Sequence, residues 1–133
     1  MEIHYESDTS VISFSKDKKL VKLEWRRNAT PDEYRETFRN ALELTKKYKL
    51  LFFISDIRKQ GAVQIEEVKW LHYEIIQVAI NSDLRKIAVI LDDNFYSQIY
   101  YDAVKSKIRG TSIEMENFNS EDSALEWIRS DDF

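Results

Sequence analysis

LLFFISDIR, residues 50–58, decides the fold. Its first five residues are apolar and of strand-forming type. They are too few for a helix and lack the alternation of a half-exposed strand, so they predict a strand buried on both faces at the centre of a sheet. Polar Ser55, Asp56 and Arg58 follow at its carboxyl end. In open α/β sheets, ligands and partners meet the protein beyond the carboxyl ends of such strands. Asp56, Arg58 and the loop through Gly61 are therefore the first candidates for function.

Working outward, Lys86 to Leu91 (KIAVIL) predicts a second buried strand, again ending in acids, Asp92 and Asp93, then Asn94. Upstream, Thr30-Pro31-Asp32-Glu33 combines an N-cap threonine, proline at the first helical position and a glutamate placed to reach back to the cap amide. The helix it starts puts Tyr34, Phe38, Ala41, Leu42, Thr45 and Tyr48 on one face. A second helix, from about Gln64 to Ile80, carries two apolar stripes. Ile65, Val68, Leu71, His72, Ile75, Ile76 and Ala79 form the broad one, while Trp70, Tyr73 and Ile80 project about 150° away. That second stripe reads either as cover for a neighbouring element or as an exposed aromatic patch used by a partner.

At the amino end, Ile3–Ser7, Val11–Ser15 and Leu20–Trp25 read as three strands in an antiparallel meander, with Val21, Leu23 and Trp25 on one face. Toward the carboxyl end, Phe95–Lys107 reads as a helix with Phe95, Tyr96, Ile99, Tyr100 and Ala103 on one side. Ser112–Phe118 follows as an edge-like strand. Ser120-Glu121-Asp122 then caps a last helix with Ala124, Leu125 and Ile128 inward. The expected fold is α/β: a mixed five- to six-stranded sheet, antiparallel at the amino end and then built of parallel β-α units, with about four helices in one domain over 1–133.

The 133 residues, 43% hydrophobic, suffice for one core. The net charge of −4, from 20 basic and 24 acidic residues dispersed along the chain, offers no footprint for a nucleic-acid backbone. With no cysteine, disulfides and thiolate zinc sites are excluded, and the start MEIHYESD lacks the regions of a signal peptide. No apolar run is long enough to span a membrane, so a cytoplasmic protein is expected. Two glycines and one proline leave no phosphate-binding glycine loop. No hydrolase, zinc-protease or nucleotide-loop motif occurs at a workable spacing, and no enzyme, cofactor or metal is expected.

Trp25, Thr30, Glu33 and Tyr34, followed by LLFFISDIR with its Asp-x-Arg and by KIAVILDDNF, resemble the small bacterial α/β proteins related to sporulation anti-sigma-factor antagonists. These are the STAS domains and their lipid-transfer-like relatives. The resemblance runs from about Trp25 to Trp127. It implies a mixed sheet with packed helices and a regulatory or protein-binding role in signalling. In the phospho-regulated members a serine opens the helix after the central strand. Here residues 56–64 contain no serine or threonine, and Ser55 falls inside the strand, so that switch is not expected.

Several constellations stay open at this point. Asp56 with Asp92 and Asp93 fits a receiver-like phosphoacceptor or magnesium site, or else a helix cap beside an Asp56–Arg58 pair. Arg58 and Lys59 near Gly61 fit an anion site or a solvated loop. His4 and His72 have no companion at metal-ligand spacing and read as packing or surface residues. Tyr96, Tyr100 and Trp70 fit the lining of a pocket for a small apolar ligand, the alternative being Tyr96 and Tyr100 in the core with Tyr101 exposed. The leading expectation is a non-catalytic module that binds a protein partner or a second copy, through Asp56, Arg58 and Gly61 with Trp70 and Tyr73.

Overall fold

The computed structural model describes residues 1–130. Its strands are β1 (Glu2–Glu6), β2 (Ser10–Ser15), β3 (Leu20–Trp25), β4 (Phe52–Asp56), β5 (Lys86–Ile90) and β6 (Glu114–Phe118). They lie side by side in chain order in one six-stranded sheet. The first two pairings are antiparallel and the last three parallel. The sheet is the mixed one expected, at the upper end of the strand count.

Chain order has a consequence for the helices. Each parallel crossover steps in the same direction, and crossovers share one hand, so the connecting helices all fall on one face. These are α1 (Pro31–Lys47), the run α2 (Ile65–Trp70), a π turn (Leu71–Ile76) and α3 (Gln77–Ile80), and then α4 (Phe95–Ile108). The main core lies beneath them, with Ile12, Phe14, Val21, Leu23, Trp25, Phe53 and Val89 from the strands. After the edge strand β6 the chain returns over the other face as α5 (Glu121–Arg129), where Ala124 and Ile128 meet Leu20, Phe52, Ile54, Ala88 and Ile90. β4 is thus covered on both sides, and all five of its residues are buried. Helix α5 reaches β3 only through Leu20 and the Lys22–Glu121 ion pair, and leaves β2 on this face open. There Val11, Ser13, Ser15, Lys22 and Glu24 are half-exposed, which accounts for the alternation in β2 and β3.

The capping box forms as read. Glu33 N donates to Thr30 Oγ1 at 3.2 Å and Thr30 N to Glu33 Oε1 at 2.9 Å. Thr9 Oγ1 also donates to Glu33 Oε2 at 2.8 Å, tying the helix start to the β1–β2 turn. A cap of this kind contributes about 1 kcal/mol.

Two helical readings need correction. The helix over 65–80 is continuous but contains the π turn, whose wider winding shifts the faces. Ile65 is exposed at its start, and the second stripe splits, with Trp70 and Ile80 packed on the core and Tyr73 68% exposed. In α4 the buried arc is Ser97, Tyr100, Tyr101, Val104 and Ile108, while Phe95, Tyr96 and Ile99 face outward. Tyr101 is buried, not exposed, and Tyr96 is not core. Apolar residues occupy most of this helix's circumference, so period alone could not choose between arcs; Val104 and Ile108 decide it.

Candidate functional site

Beyond the carboxyl end of β4, the chain is tightly held. Asp56 is 4% exposed, and its carboxylate takes both arms of Arg58, Nε to Oδ1 at 3.0 Å and Nη2 to Oδ2 at 2.7 Å, with the Arg58 amide on Oδ1 at 3.2 Å. This bidentate pair raises the Arg58 pKa above its usual range, and Glu24 and Asp92 at the ends of the flanking strands add to the effect. Among the described residues no three acidic or histidine side chains converge as a metal would need. Asp92 instead accepts from Asn94 N at 3.2 Å, and Asn94 caps α4 by accepting from Tyr96 N at 2.8 Å.

The next residues are clamped from the β3–α1 connection. Asn28 Nδ2 donates to Gln60 O at 2.7 Å and Ala62 O at 2.8 Å, spanning Gly61. Gly61 has φ +72°, and a Cβ there would lie 3.2 Å from Asn28 Nδ2. Both the backbone and the space call for glycine.

Behind the clamp is a polar floor. Tyr34 and Tyr100 share a hydroxyl hydrogen bond at 2.7 Å. Burial pushes Tyr100 up to about 12, and Tyr34 rises well above its ordinary value, from burial and then from the neighbouring Tyr100. Glu67, buried, takes Arg35 by both oxygens at 2.7 and 3.2 Å. Gln60 is 2% exposed; its amide faces the Tyr100 hydroxyl without closing a hydrogen bond of good geometry. Tyr34, Gln60 and Glu67 border a pocket of about 80 Å³ between the starts of α1 and α2, while Tyr100 lies behind it.

The other candidates disperse. Trp70 lies against α1, with the Arg35 and Arg39 guanidinium groups 5.4 and 5.3 Å from its ring and Tyr34 edge-on at 6.3 Å. Tyr73 stands exposed beside His72, ring centroids 4.8 Å apart. At the start of α4, Phe95 is 71% exposed and Tyr96 and Ile99 each 52%. The Phe95 and Tyr96 rings meet edge-on, centroids 5.9 Å apart, and Ile99, three and four residues on, extends the apolar surface. Tyr96, Tyr100 and Trp70 do not line a common pocket: Tyr96 is outside, Trp70 packs on Tyr34, and of the three only Tyr100 lines an apolar cavity. That cavity, of about 70 Å³, lies under the helices among Phe38, Phe53, Leu71, Ile75, Tyr100 and Val104.

Asn28, Gln60, Tyr34 and Glu67 were not singled out from the sequence. Asn28 stands two residues before the cap threonine, which is a usable signal for a loop anchor. A buried Gln60 cannot be told from a solvated loop glutamine without the fold.

Taken together, the fold is that of a small STAS-type module whose conspicuous groups gather at the carboxyl edge of its parallel strands. The chain belongs to the SpoIIAA-like family, whose profile matches residues 20–129. Among solved structures it is similar to an uncharacterised protein of the DUF3478 family, with a SpoIIAA-like fold, from Shewanella loihica PV-4. The TM-score is 0.60 at 13% identity, over 94% of this chain and 99% of that one, which establishes likeness of fold alone. No curated protein matches. Among the described residues, no helix is long and apolar enough to cross a membrane.

Proposed function

We propose that the chain is a single-domain, non-catalytic protein-binding module whose partner docks beyond the carboxyl ends of the parallel strands. Phe95, Tyr96 and Ile99 are the apolar anchor, with the Asp56–Arg58 pair and the Gly61 loop as its polar flank. The observation that carries this reading is the outward face of α4: three large apolar side chains at one helix start, where a lone soluble domain keeps polar residues. Tyr73 is a second exposed aromatic on the neighbouring helix, while Trp70 and Tyr100 act through packing. Membership of a STAS-type family fits a binding role, and Asp56, closed off by Arg58, does not fit a receiver-like phosphoacceptor.

Carriage of an apolar ligand draws less support. The internal cavity of about 70 Å³ is apolar but small, about half the ~150 Å³ that accommodates benzene in an engineered core. The test is retention of proteins from the native host by wild type and by the Phe95→Ser/Tyr96→Ser/Ile99→Ser variant, then titration with the purified partner. The triple variant is expected to bind at least about tenfold more weakly, as loss of central aromatic anchors does. If the partner proves to be a second copy, sedimentation shows a dimer that the variant loses. Equal affinity in wild type and variant would remove this surface from the account.

A further inference from the structure

The apolar face of α4 is bordered by acids. Asp92 and Asp93 stand exposed just before the helix. Asp102, also exposed, comes three residues after Ile99 and seven after Phe95, so it continues the same helical face. At 1.5 Å per residue, Phe95 and Asp102 are about 10 Å apart along the axis. Carboxylates thus close both ends of the apolar strip. The strip also widens sideways. Helix α2 packs beside α4, and because both helices follow parallel strands their starts share one edge of the sheet. Ile65, the first residue of α2, is 57% exposed there.

The chain's own cations leave this charge standing. Arg58 feels Asp92, but Asp56 already holds its guanidinium by both arms. Lys105, one turn beyond Asp102, turns instead to Glu116 at 3.8 Å and to the Tyr101 ring. Among the described residues neither Asp93 nor Asp102 takes part in an ion pair. Lys59, exposed on the clamped loop, is one cation against three carboxylates. The charge therefore selects what can dock. In a symmetric pair of copies, a two-fold axis sets these acids against one another in either orientation of the helices, and like charges face to face cost affinity. An anionic membrane surface is repelled in the same way. The strip lies on a helix flank and not at a sheet edge, so it calls for the ridge spacing of another helix, not for strand pairing.

We propose that the partner protein presents a cationic amphipathic helix. Its apolar stripe lies along Phe95, Tyr96 and Ile99, and its Lys or Arg side chains, about two turns apart, reach Asp92 and Asp93 at one end and Asp102 at the other. This assignment rests on the reading of the α4 face as the docking surface and adds the chemistry of what docks there. The apolar side chains supply most of the affinity. The carboxylates at the rim act on the association rate, on its dependence on salt and on the choice between partners.

The experiment follows the isotope-labelled chain by nuclear magnetic resonance during titration with two synthetic helical peptides and with phosphatidylglycerol vesicles. The peptides share one leucine spacing and carry either lysine or glutamate at the flanking positions. The lysine peptide is expected to shift the backbone signals of Tyr96, Ile99 and Asp102, and to bind at least about tenfold more tightly than the glutamate peptide at low salt. Asp93→Asn/Asp102→Asn, both at exposed positions, is expected to weaken the lysine peptide about fivefold and to flatten its salt dependence, as loss of two exposed ion pairs does. The proposal is overturned if the lysine peptide leaves these signals unmoved, if the two peptides bind alike, if the vesicles move the signals, or if the asparagine variant keeps wild-type affinity and salt dependence. The docking reading fails separately, through equal affinity of wild type and Phe95→Ser/Tyr96→Ser/Ile99→Ser for the host partner. A host partner that the serine variant loses and the asparagine variant binds as wild type does would keep the surface and overturn its preference for a cationic helix.

Discussion

Two loops leave the same edge of the sheet and are built in opposite ways. After β4, Asp56 is locked to Arg58, Asn28 bridges Gln60 and Ala62, and Gly61 turns in the left-handed region. After β5, Asp92, Asp93 and Asn94 are exposed, and the helix they introduce opens with three outward apolar side chains. The first loop uses its polar groups on itself and on its neighbours. The second leaves its surface to something outside. A strand ending in Asp-x-Arg catches the eye in the sequence, yet in the fold that pair is internal fastening, and the free surface begins one strand further on.

If that contrast is right, disturbing the first loop costs stability and disturbing the second costs none. The largest effect is expected from Arg58→Ala, which leaves the buried Asp56 carboxylate without its charged partner; a loss of about 2 kcal/mol in urea unfolding is expected, discounted because Arg58 itself is half-exposed. A loss within experimental error would show that Asp56 finds other solvation.

Next comes Gly61→Ala, at about 1–2 kcal/mol for an alanine forced into the left-handed region. Asn28→Ala should cost a similar amount, and the double variant less than the sum, because both act on one clamp. Strict additivity in the double-mutant cycle would dissolve the clamp.

The capping box gives a pH signature. The Thr30 backbone amide, with the Thr9 hydroxyl and Arg27 assisting, holds Glu33 at about 2, against an ordinary 4.5. A depressed folded value means that the group's stabilising effect is complete above the unfolded value and is lost as the folded group takes up its proton. Stability should therefore fall as pH drops from about 4.5 toward 2, and Glu33→Gln should flatten that limb. An unchanged acid limb in the variant would assign the sensitivity elsewhere.

The smallest effect on stability is expected from Phe95→Ser/Tyr96→Ser/Ile99→Ser, within about 0.5 kcal/mol per site, since these side chains are already in water. Loss of cooperative unfolding in this variant would place them in the core after all and erase the contrast.

Much of the fold was legible. Leu50–Ile54 and Lys86–Leu91 read as buried strands because unbroken apolar runs have few other uses, and Thr30 to Glu33 carry a cap whose spacing is its own mechanism. The site was less legible, for physical reasons. Helix α4 is apolar round most of its girth, so which tyrosines face in depends on the sheet beneath it. The π turn re-aims the helix from residue 71 and separates Trp70 from Tyr73. Gln60, Asn28, Tyr34 and Glu67 come together from two connections and two helices, and only the topology brings them within reach of one another. What the pattern does show is where such a meeting occurs: at the carboxyl ends of β3, β4 and β5.

Photo-crosslinking in the native host, from a reactive residue placed at position 96 or at position 62, tests the central contrast most directly. The account predicts a discrete protein adduct from position 96, of a partner or of doubled chain mass, and markedly less from position 62. An adduct from position 62 with none from position 96 would contradict it, and would make the clamped loop the docking surface.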